Sequence, residues 1–301
     1  MKLKRVLVVF KKSTLQLQAF EHKEPRFLKL LEEGHASIAK VKTAHEEHVE
    51  TLAAIENALS QRNIGFEKVA RADKNSVTND FDMLISVGGD GTFLDASHAT
   101  RSLPILGVNS AISSSFGHFC LAKVTNFAEV LDRIIADDLK PERLVRLELI
   151  LNSNPLPELV LNEVLIAHSN PAGTSRYLIE IDGQREEQRS SGMFVGPPPG
   201  ATGSIRSAGG EILPITAQEY QFIVREPWTK PNQTYKFVRG RLNRSQQMFI
   251  ISQMRTGAMY IDGSHIEYSF PLGDELTIRA AADDLIAFVN PAVNNLFLHG
   301  N

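Results

Sequence analysis

The order of apolar and polar positions divides the chain near residue 139. In the first part, short and almost continuous apolar runs alternate with stretches of helical periodicity. Such runs are typical of strands that are buried on both faces of a parallel sheet. The four predicted strands are Val6–Phe10, Phe66–Ala70, Met83–Val87 and Ile105–Val108. Between the first two, Ala36–Gln61 has apolar residues mainly three and four positions apart, which predicts a long helix. This order predicts a doubly wound, Rossmann-like α/β domain.

After this point the pattern changes to short runs in which apolar and polar residues alternate. The predicted strands are Leu144–Leu151, Leu159–Ala167, Tyr177–Ile181, Tyr220–Val224, Met248–Ser252 and Leu276–Arg279. Turn dipeptides such as Asp182-Gly183 and Asp262-Gly263 separate them. The alternation predicts a mostly antiparallel, β-sandwich-like second domain. We therefore predict an α/β domain over residues 1–138 and a β-rich domain over 139–285, with 286–301 packing back on the first.

Composition and charge narrow the class of protein. The 301 residues are 43% hydrophobic, which is enough for two buried cores. The formal net charge of -3, without a large basic run, argues against nucleic acid or an anionic membrane as the main partner. A single cysteine, Cys120, excludes an internal disulfide and fits a reducing compartment. The apolar run Val6–Phe10 is too short for a signal peptide, so we expect a cytoplasmic protein.

The strongest candidate for chemistry is a glycine-rich turn directly after the third predicted strand. Its residues are Gly88, Gly89, Asp90, Gly91 and Thr92, and a helix-like segment follows. A strand, a glycine turn and a helix together present backbone N–H groups to phosphate. The carboxylate of Asp90 is unsuited to phosphate, but it can accept a proton from an attacking hydroxyl or hold Mg²⁺. The alternative is a structural turn in which Asp90 caps the helix.

Later segments give this turn a family context. The string GGDGT occurs in the NAD kinase family, in diacylglycerol and sphingosine kinases and, as GGDGS, in phosphofructokinases. Leu161-Asn162-Glu163-Val164 resembles the "NE/ND" motif of the NAD kinases. Residues 190–210 resemble the glycine- and hydroxyl-rich loop of that family, which ends in "SAGG". The order and spacing agree from residue 1 to about 285, so the chain is identified by resemblance as a member of the NAD kinase family.

Three further segments resemble the mitochondrial-type branch of that family. Gly107-Val108-Asn109 is followed by an insert that ends in Gly117-His118-Phe119-Cys120-Leu121. Lys11-Lys12-Ser13-Thr14 is similar to a "KxT" string after the first strand, and residues 188–192 are similar to "QKSSG". The resemblance is therefore closest to this branch.

The resemblance implies an activity and residue roles. The family transfers the γ-phosphoryl group of ATP to the 2′-hydroxyl of the adenosine ribose of NAD, which gives NADP. Asp90 matches the aspartate that takes the hydroxyl proton or positions the acceptor, and Asn162 and Glu163 match the pair that binds the dinucleotide. The residues that would line the phosphate path are Gly88, Gly89, Gly91 and Thr92. No cluster with metal-ligand spacing is visible, so Mg²⁺ is expected to arrive with ATP. The family also implies a homodimer or homotetramer that associates through the second domain.

Two further regions are candidates for nucleotide contacts. Lys11 and Lys12 follow the first strand and belong to the same carboxyl edge of the sheet as Asp90, so either could meet the triphosphate, with ordinary surface lysines as the alternative. In the loop after residue 196, Pro197, Pro199 and Ala201 stand where relatives have threonine and serine, and proline offers neither a hydroxyl nor an N–H. The loop residues expected to contact nucleotide are Gly200 and Thr202.

This loop leaves the acceptor open. The alternatives are another nucleotide or a lipid as acceptor, or a nucleotide-binding protein with weak or lost activity. Two other segments are interpreted as solvated surface. His45-Glu46-Glu47-His48 has the wrong spacing for a zinc-binding HExxH helix, and the charged run 184–189 is predicted to be the exposed end of a hairpin.

Overall fold

A computed structural model describes residues 2–71, 80–232 and 234–298. The chain divides into two compact units. The first unit contains the residues up to Glu142 together with Leu285–Asn290. The second unit contains Arg143–Asp284 and the residues from Pro291 onward.

The first unit is built on one mainly parallel sheet. Its strands are β1 (Arg5–Phe10), β2 (Gly65–Ala70), β3 (Met83–Gly88), β4 (Ile105–Asn109), β5 (Ala122–Lys123), β6 (Glu142–Leu144) and β19 (Leu285–Phe288). Their order is β2-β1-β3-β4-β19-β6, with β5 beside β4. The pairs β1–β2, β1–β3, β3–β4, β4–β5 and β4–β19 are all parallel. The predicted Rossmann-like α/β arrangement is therefore confirmed.

The helical segments of this unit are a π-helical turn (Gln16–Glu21), α1 (Pro25–Glu32), α2 (Ala36–Gln61), α3 (Asp90–His98) and α4 (Phe127–Ile135). Helices α2 and α4 pack on this sheet through apolar stripes, and other helical segments of the unit are more exposed or lie beside the glycine turn. All residues of β3 and β4 are buried, as the continuous apolar runs predict for central parallel strands. Ile55 and Leu59 of α2 and Leu131 of α4 belong to the same core. Arg62 and Asp132 add an ion pair that joins the end of α2 to α4.

The C-terminal segment divides between the two units. β19 joins the parallel sheet, but a 3₁₀ turn over Val293–Phe297 belongs to the second unit. The prediction that all of 286–301 packs on the first domain was therefore wrong for the part after Asn290. The reason is a specific anchor, because the buried Asn294 donates hydrogen bonds to the carbonyls of Pro198 (3.1 Å) and Leu213 (2.6 Å).

The second unit contains two six-stranded antiparallel sheets. In chain order its strands are β7 (Leu147–Leu151), β8 (Asn154–Val160), β9 (Val164–His168), β10 (Ser175–Ile181), β11 (Gln184–Ser190), β12 (Met193–Gly196), β13 (Glu219–Val224), β14 (Arg239–Asn243), β15 (Gln247–Ser252), β16 (Gly257–Ile261), β17 (Ile266–Ser269) and β18 (Glu275–Ala280). The orders are β11-β10-β15-β18-β7-β8 and β14-β13-β12-β9-β16-β17. A 3₁₀ turn (Pro198–Thr202) and the short α5 (Ser204–Ser207) follow β12.

The two sheets share one apolar core. Tyr177 and Met248 from the first sheet and Ile166 and Met259 from the second are buried in the same cluster. Alternate residues of β10 are buried, which is the pattern expected of a strand with one face in a sandwich. The predicted sandwich-like architecture is therefore confirmed.

Two predicted segments differ in detail. The run 184–189 was interpreted as a solvated hairpin end, but Gln184–Ser190 is a complete strand that pairs along its length with β10. Its inward side chains are Gln188 and Ser190, which are buried but polar, so hydrophobicity does not reveal them. The run Leu159–Ala167 is interrupted between Val160 and Val164 by a turn that matters for the site.

No helix in the described residues is long and apolar enough to cross a membrane.

Candidate active site

The glycine-rich turn of the first unit lies at the carboxyl end of the buried strand β3. The strand ends at Gly88, and α3 begins at Asp90. A Cβ atom on Gly88 would lie 2.6 Å from the Cβ of Thr92, so the turn has room only for glycine there. The amide of Ser110, directly after β4, donates to the carbonyl of Gly88 (2.9 Å). Two adjacent parallel strands therefore fix the turn at the edge of the sheet where α/β proteins bind ligands.

Asp90 is held by a segment from beyond β4. Its Oδ1 accepts a hydrogen bond from the backbone amide of Phe119 (2.9 Å). Gly89, and not Asp90, is the N-cap residue of α3, so the alternative of a simple helix cap is not what the structure has. Phe119 in turn stacks on Phe93 of α3, with 5.1 Å between the ring centroids. The partly exposed carboxylate is thus oriented by a packed aromatic pair.

The insert between β4 and β5 lies against the same turn. The side chain of Asn109 donates to the carbonyl of Ser115 (2.9 Å) and accepts from the amide of Ala111 (3.2 Å). A Cβ on Gly89 would be 3.2 Å from the Cβ of Ser115. The insert therefore limits Gly89 to glycine and closes one side of the turn.

The two candidate lysines have different surroundings. Lys12 forms an ion pair with Glu21 (2.9 Å). Lys11 is partly buried, and burial together with the positive charge of Arg71 lowers the pKa of its ammonium group. Arg71 itself forms an ion pair with Asp95 of α3. Lys11 therefore lies in a cationic environment, whereas the charge of Lys12 is already compensated.

The sequence predicts that the segment His45–His48 is a solvated face, and the structure differs from this prediction. His48 is buried, and its Nδ1 lies 2.7 Å from Oγ of Ser110, while Nδ1 of His45 lies 2.7 Å from Oγ of Ser13. Burial, helped by the positive charge of Lys11, lowers the pKa of His48 to about 4. Thr51 and Ile55 continue the buried stripe, so the three-to-four spacing from residue 48 was the available signal.

No group of three histidine, cysteine or carboxylate side chains within the described ranges could hold a metal ion. Mg²⁺ that is bound with nucleotide phosphates and water commonly has one or two protein carboxylates as ligands. The glycine turn offers one carboxylate, Asp90. Cys120 is no candidate nucleophile, because burial and the nearby charge of Asp90 raise the pKa of its thiol.

The turn between β8 and β9 carries Asn162 and Glu163, and Asp262 holds it in place. The carboxylate of Asp262 accepts hydrogen bonds from the amides of Leu161 (3.0 Å), Asn162 (2.7 Å) and Glu163 (3.2 Å). The amide of Asp262 donates back to the carbonyl of Glu163 (2.9 Å). Sequence reasoning had used Asp262-Gly263 only as a turn marker and had missed this role.

Glu163 is a buried carboxylate with a raised pKa, and one of its oxygens has no hydrogen-bond partner among the described residues. Its side chain is buried, and Oε1 accepts from the hydroxyl of Ser204 (3.1 Å). Burial, and then the negative charge of Asp262, raise its pKa to about 7. Oε2 is buried and has no hydrogen-bond partner within the described part of the chain. Such an atom is costly unless a ligand satisfies it, which makes Glu163 a candidate binding residue.

The proline-rich loop packs into the fold. Pro197, Pro198, Pro199 and Ala201 are all buried, so these substituted positions face the protein interior. A Cβ on Gly200 would lie 2.9 Å from the Cα of Asn162, which gives Gly200 a packing role beside the turn. Thr202 and Ser204 follow on the less buried side of the loop.

A cavity of about 340 Å³ opens beside Glu163 within the second unit. Its lining includes Glu163, Leu165, Phe194, Ser204 and Tyr260. Apolar and aromatic walls with a few polar groups are typical of small-molecule sites. The volume suits a ribose with an attached ring, and Glu163 is part of the cavity wall.

A glycine-rich turn that presents backbone amides and carries a carboxylate is typical of nucleotide-dependent phosphotransferases. Comparisons with known proteins agree. A model described as "ATP-NAD kinase N-terminal domain" matches residues 6–139. The chain is 34% identical over 257 residues to a "Probable NADH kinase" of Oryza sativa subsp. japonica, covering 78% of this chain and 79% of the relative. It is also 34% identical over 281 residues to an "NADH kinase" of Arabidopsis thaliana, covering 83% and 86%. The chain belongs to the NAD kinase family, as its motifs predict.

Solved structures show the same fold. An NAD kinase from Archaeoglobus fulgidus in complex with ATP superposes with a TM-score of 0.68 at 22% identity and covers 97% of each chain. A yeast NADH kinase complexed with NADH superposes with a TM-score of 0.69 at 18% identity, covering 99% of this chain and 86% of the other. These structures share the fold, and the sequence relatives named as kinases show that the chain is an enzyme of the kinase class.

Proposed function

We propose that the protein transfers the γ-phosphoryl group of ATP to the 2′-hydroxyl of the adenosine ribose of NAD or NADH. The observation that carries this proposal is the unpartnered Oε2 of the buried Glu163. A ribose hydroxyl can donate to this oxygen, and a carboxylate is the usual acceptor for such hydroxyls. The names of the relatives from rice and Arabidopsis support a nicotinamide dinucleotide as acceptor, including its reduced form.

Asp90 is proposed to position the acceptor hydroxyl and to receive its proton. Its fixed orientation against the amide of Phe119 supports this role, because phosphoryl transfer depends mainly on positioning and charge neutralisation. Mg²⁺ that arrives with ATP would supply charge neutralisation at the phosphates. Backbone amides of the turn would line the phosphate path, at Gly88, Gly89, Gly91 and Thr92.

Of the two lysines, Lys11 is proposed to meet the triphosphate. Lys12 already has Glu21 as its partner, whereas Lys11 lies near Arg71 in a cationic environment that an anion would stabilise. In the second unit, Asn162 and Thr202 are proposed to add polar contacts to the dinucleotide. Gly200 is proposed to contribute by allowing the loop to approach Asn162 closely.

The proline-rich loop does not require a different acceptor. Pro197, Pro199 and Ala201 offer no side-chain hydroxyl, and we propose that Thr202 and Ser204, on the less buried side of the same loop, supply the polar contacts instead. Association into a homodimer or homotetramer through the second unit is also proposed, and light scattering would measure it. The cytoplasmic location stays a prediction.

The decisive experiment compares the wild type with Asp90→Asn. Purified protein with ATP and Mg²⁺ is given NAD or NADH, and the phosphorylated product is measured. Loss of general-base function typically lowers kcat by about 10²–10⁴-fold, and we expect a reduction in that range. Dinucleotide binding, measured by calorimetry, should be unchanged.

Asp132→Asn is the matched control, because Asp132 is an exposed carboxylate of the same unit that pairs with Arg62. It should keep wild-type kcat. Persistent turnover in Asp90→Asn would contradict the role of Asp90. Saturable dinucleotide binding without any phosphorylated product in the wild type would contradict the proposed function itself.

A further inference from the structure

A second, small cavity lies beside the hairpin of β10 and β11. Its volume is about 230 Å³, and it shares no lining residue with the cavity at Glu163. Arg176 of β10 and Arg189 of β11 both line it and are direct partners in the antiparallel register. Directly opposed residues of an antiparallel pair lie on the same face of the sheet. The hairpin therefore presents two guanidinium groups side by side.

Two guanidinium groups dominate the charge of this cavity. Within the described ranges, neither guanidinium has a carboxylate or hydrogen-bond partner. Lys230 is a third cation in the lining, and the one lining carboxylate, Glu187, accepts a hydrogen bond from Gln253 (3.2 Å). Like charges that face each other across a strand pair are destabilising. A bound anion would remove this repulsion.

An aromatic wall completes the cavity. The amide of Trp228 donates to the carbonyl of Arg189 (2.8 Å), and the hydroxyl of Tyr235 donates to the carbonyl of Trp228 (2.8 Å). The first bond attaches the loop after β13 to β11, and the second joins two residues of that loop. The guanidinium of Arg189 lies 5.6 Å from the centroid of the Trp228 ring, and the indole remains 51% exposed. The ring is thus fixed in place but has a free surface for a ligand.

We infer that this cavity binds the phosphate monoester group of a small metabolite, with the Arg176 and Arg189 guanidiniums on the phosphate and the Trp228 indole against the attached group. Guanidinium forks match phosphate oxygens in bidentate geometry. A dianion compensates both arginines, whereas a carboxylate would compensate one. The volume fits a phosphate and a small ring.

The chain offers a direct probe, because Trp228 is its single tryptophan. Its fluorescence would be recorded during titration with phenyl phosphate at low salt. We expect a saturable change. Phenyl sulfate, which has nearly the same shape but one negative charge, should bind at least about tenfold more weakly if the second charge matters. Binding should also weaken below about pH 6, where the phosphate group takes up a proton.

Variants separate the site from a general effect of charge. Arg176→Gln should weaken phenyl phosphate binding by about tenfold or more, and Arg176→Lys by less, because a lysine keeps the charge but loses the fork. Arg185→Gln is the matched control, since Arg185 belongs to the same strand as Arg189 but pairs with Glu180. Its affinity should stay at the wild-type value. Circular dichroism would verify that each variant is folded.

Three results would overturn the inference. The first is the absence of a saturable change with phenyl phosphate. The second is equal affinity for the two phenyl compounds, or an affinity that Arg176→Gln leaves unaltered. The third is a fluorescence change that follows protein concentration and not ligand concentration, which would assign the surface to contacts between copies of the chain.

Discussion

Asp90 and Glu163 lie in two short turns. The first is held by residues that are close to it in the chain, and the second is held by a residue far along the chain. The turn of Asp90 is formed by its own strand and helix, with further bonds from the amides of Ser110 and Phe119, the latter 29 positions along the chain. The turn of Glu163 is held by Asp262, which is 99 positions away. A turn of the first kind is fixed as soon as its strand and helix form. One of the second kind exists only when distant strands of the sandwich have paired.

The two turns also differ in how they treat charge. Asp90 is partly exposed and oriented by one amide, so its carboxylate can meet ligands together with water. Glu163 is buried next to a second carboxylate, which makes its ionised form costly. The local turn thus suits phosphate and metal chemistry, whereas the long-range turn suits a hydrogen bond in a dry cavity.

Of the variants that test this comparison, Asp262→Asn is expected to have the largest effect. Asparagine keeps one acceptor oxygen but turns an NH₂ group towards backbone N–H groups, and the charge is lost. Hydrogen bonds to a charged group contribute about 1.5–3 kcal/mol each. Loss of that magnitude should weaken dinucleotide binding on the order of 100-fold, measured by calorimetry and as KM, with a smaller effect on kcat. The pH profile should also move to lower pH, because the negative charge that raises the pKa of Glu163 is gone.

Asp182→Asn is the matched control. Asp182 also precedes a glycine and has a positive φ of 50°, the same as Asp262, but it bonds Gln246 at an exposed position. It should leave dinucleotide binding and the pH profile unchanged. If Asp262→Asn bound dinucleotide as well as the wild type, the long-range attachment of the turn would be irrelevant to function.

The difference between the two turns explains which features of the structure could be predicted from the sequence and which could not. The glycine turn, the buried strands β1, β3 and β4, the more exposed edge strand β2 and helix α2 are specified by neighbouring residues, and they were predicted from pattern alone. The family motif singled out Glu163, but nothing near it in the chain points to Asp262. The strand Gln184–Ser190 and the anchor Asn294 were missed for the same reason, because polar side chains become structural only through distant partners. His48 differs from these residues, because its three-to-four spacing from Thr51 and Ile55 along the helix was visible in the sequence.

The next prediction concerns how the unfolding free energy of each unit changes with pH, and the sign of this change differs between the two units. The pKa of Glu163 is raised to about 7, so the folded second unit binds a proton that the unfolded chain releases above about pH 4.5. Its unfolding free energy should therefore fall between about pH 4.5 and 7. The pKa of His48 is lowered to about 4 from 6.5, so the unfolding free energy of the first unit should rise over about pH 4 to 6.5. Each change is on the order of 3 kcal/mol.

Hydrogen exchange followed by mass spectrometry would resolve these opposite slopes by region in the intact protein. Glu163→Gln should flatten the slope in the second unit alone, and His48→Gln should flatten it in the first unit alone. Each variant serves as the control for the other. Slopes of the same sign in both regions would show that the units unfold together or that the two groups do not dominate.

The smallest effect tests whether the turn of Glu163 depends on backbone packing as well as on Asp262. In Gly200→Ala, the new methyl group would overlap the backbone carbonyl group of Asn162 and lie 2.9 Å from its Cα, and backbone atoms cannot rotate away as a side chain can. Overpacking of this kind costs about 1–3 kcal/mol, and we expect a loss of unfolding free energy towards the upper end of that range in urea titration. Gly203→Ala is the control from the same loop, because its methyl group would meet Oδ1 of Asn162 at an ordinary 3.5 Å. If both variants were equally stable, the loop could shift without cost, and Asp262 alone would hold the turn. If only Gly200→Ala lost stability and dinucleotide affinity together, the close approach of the two backbones would be part of the binding site.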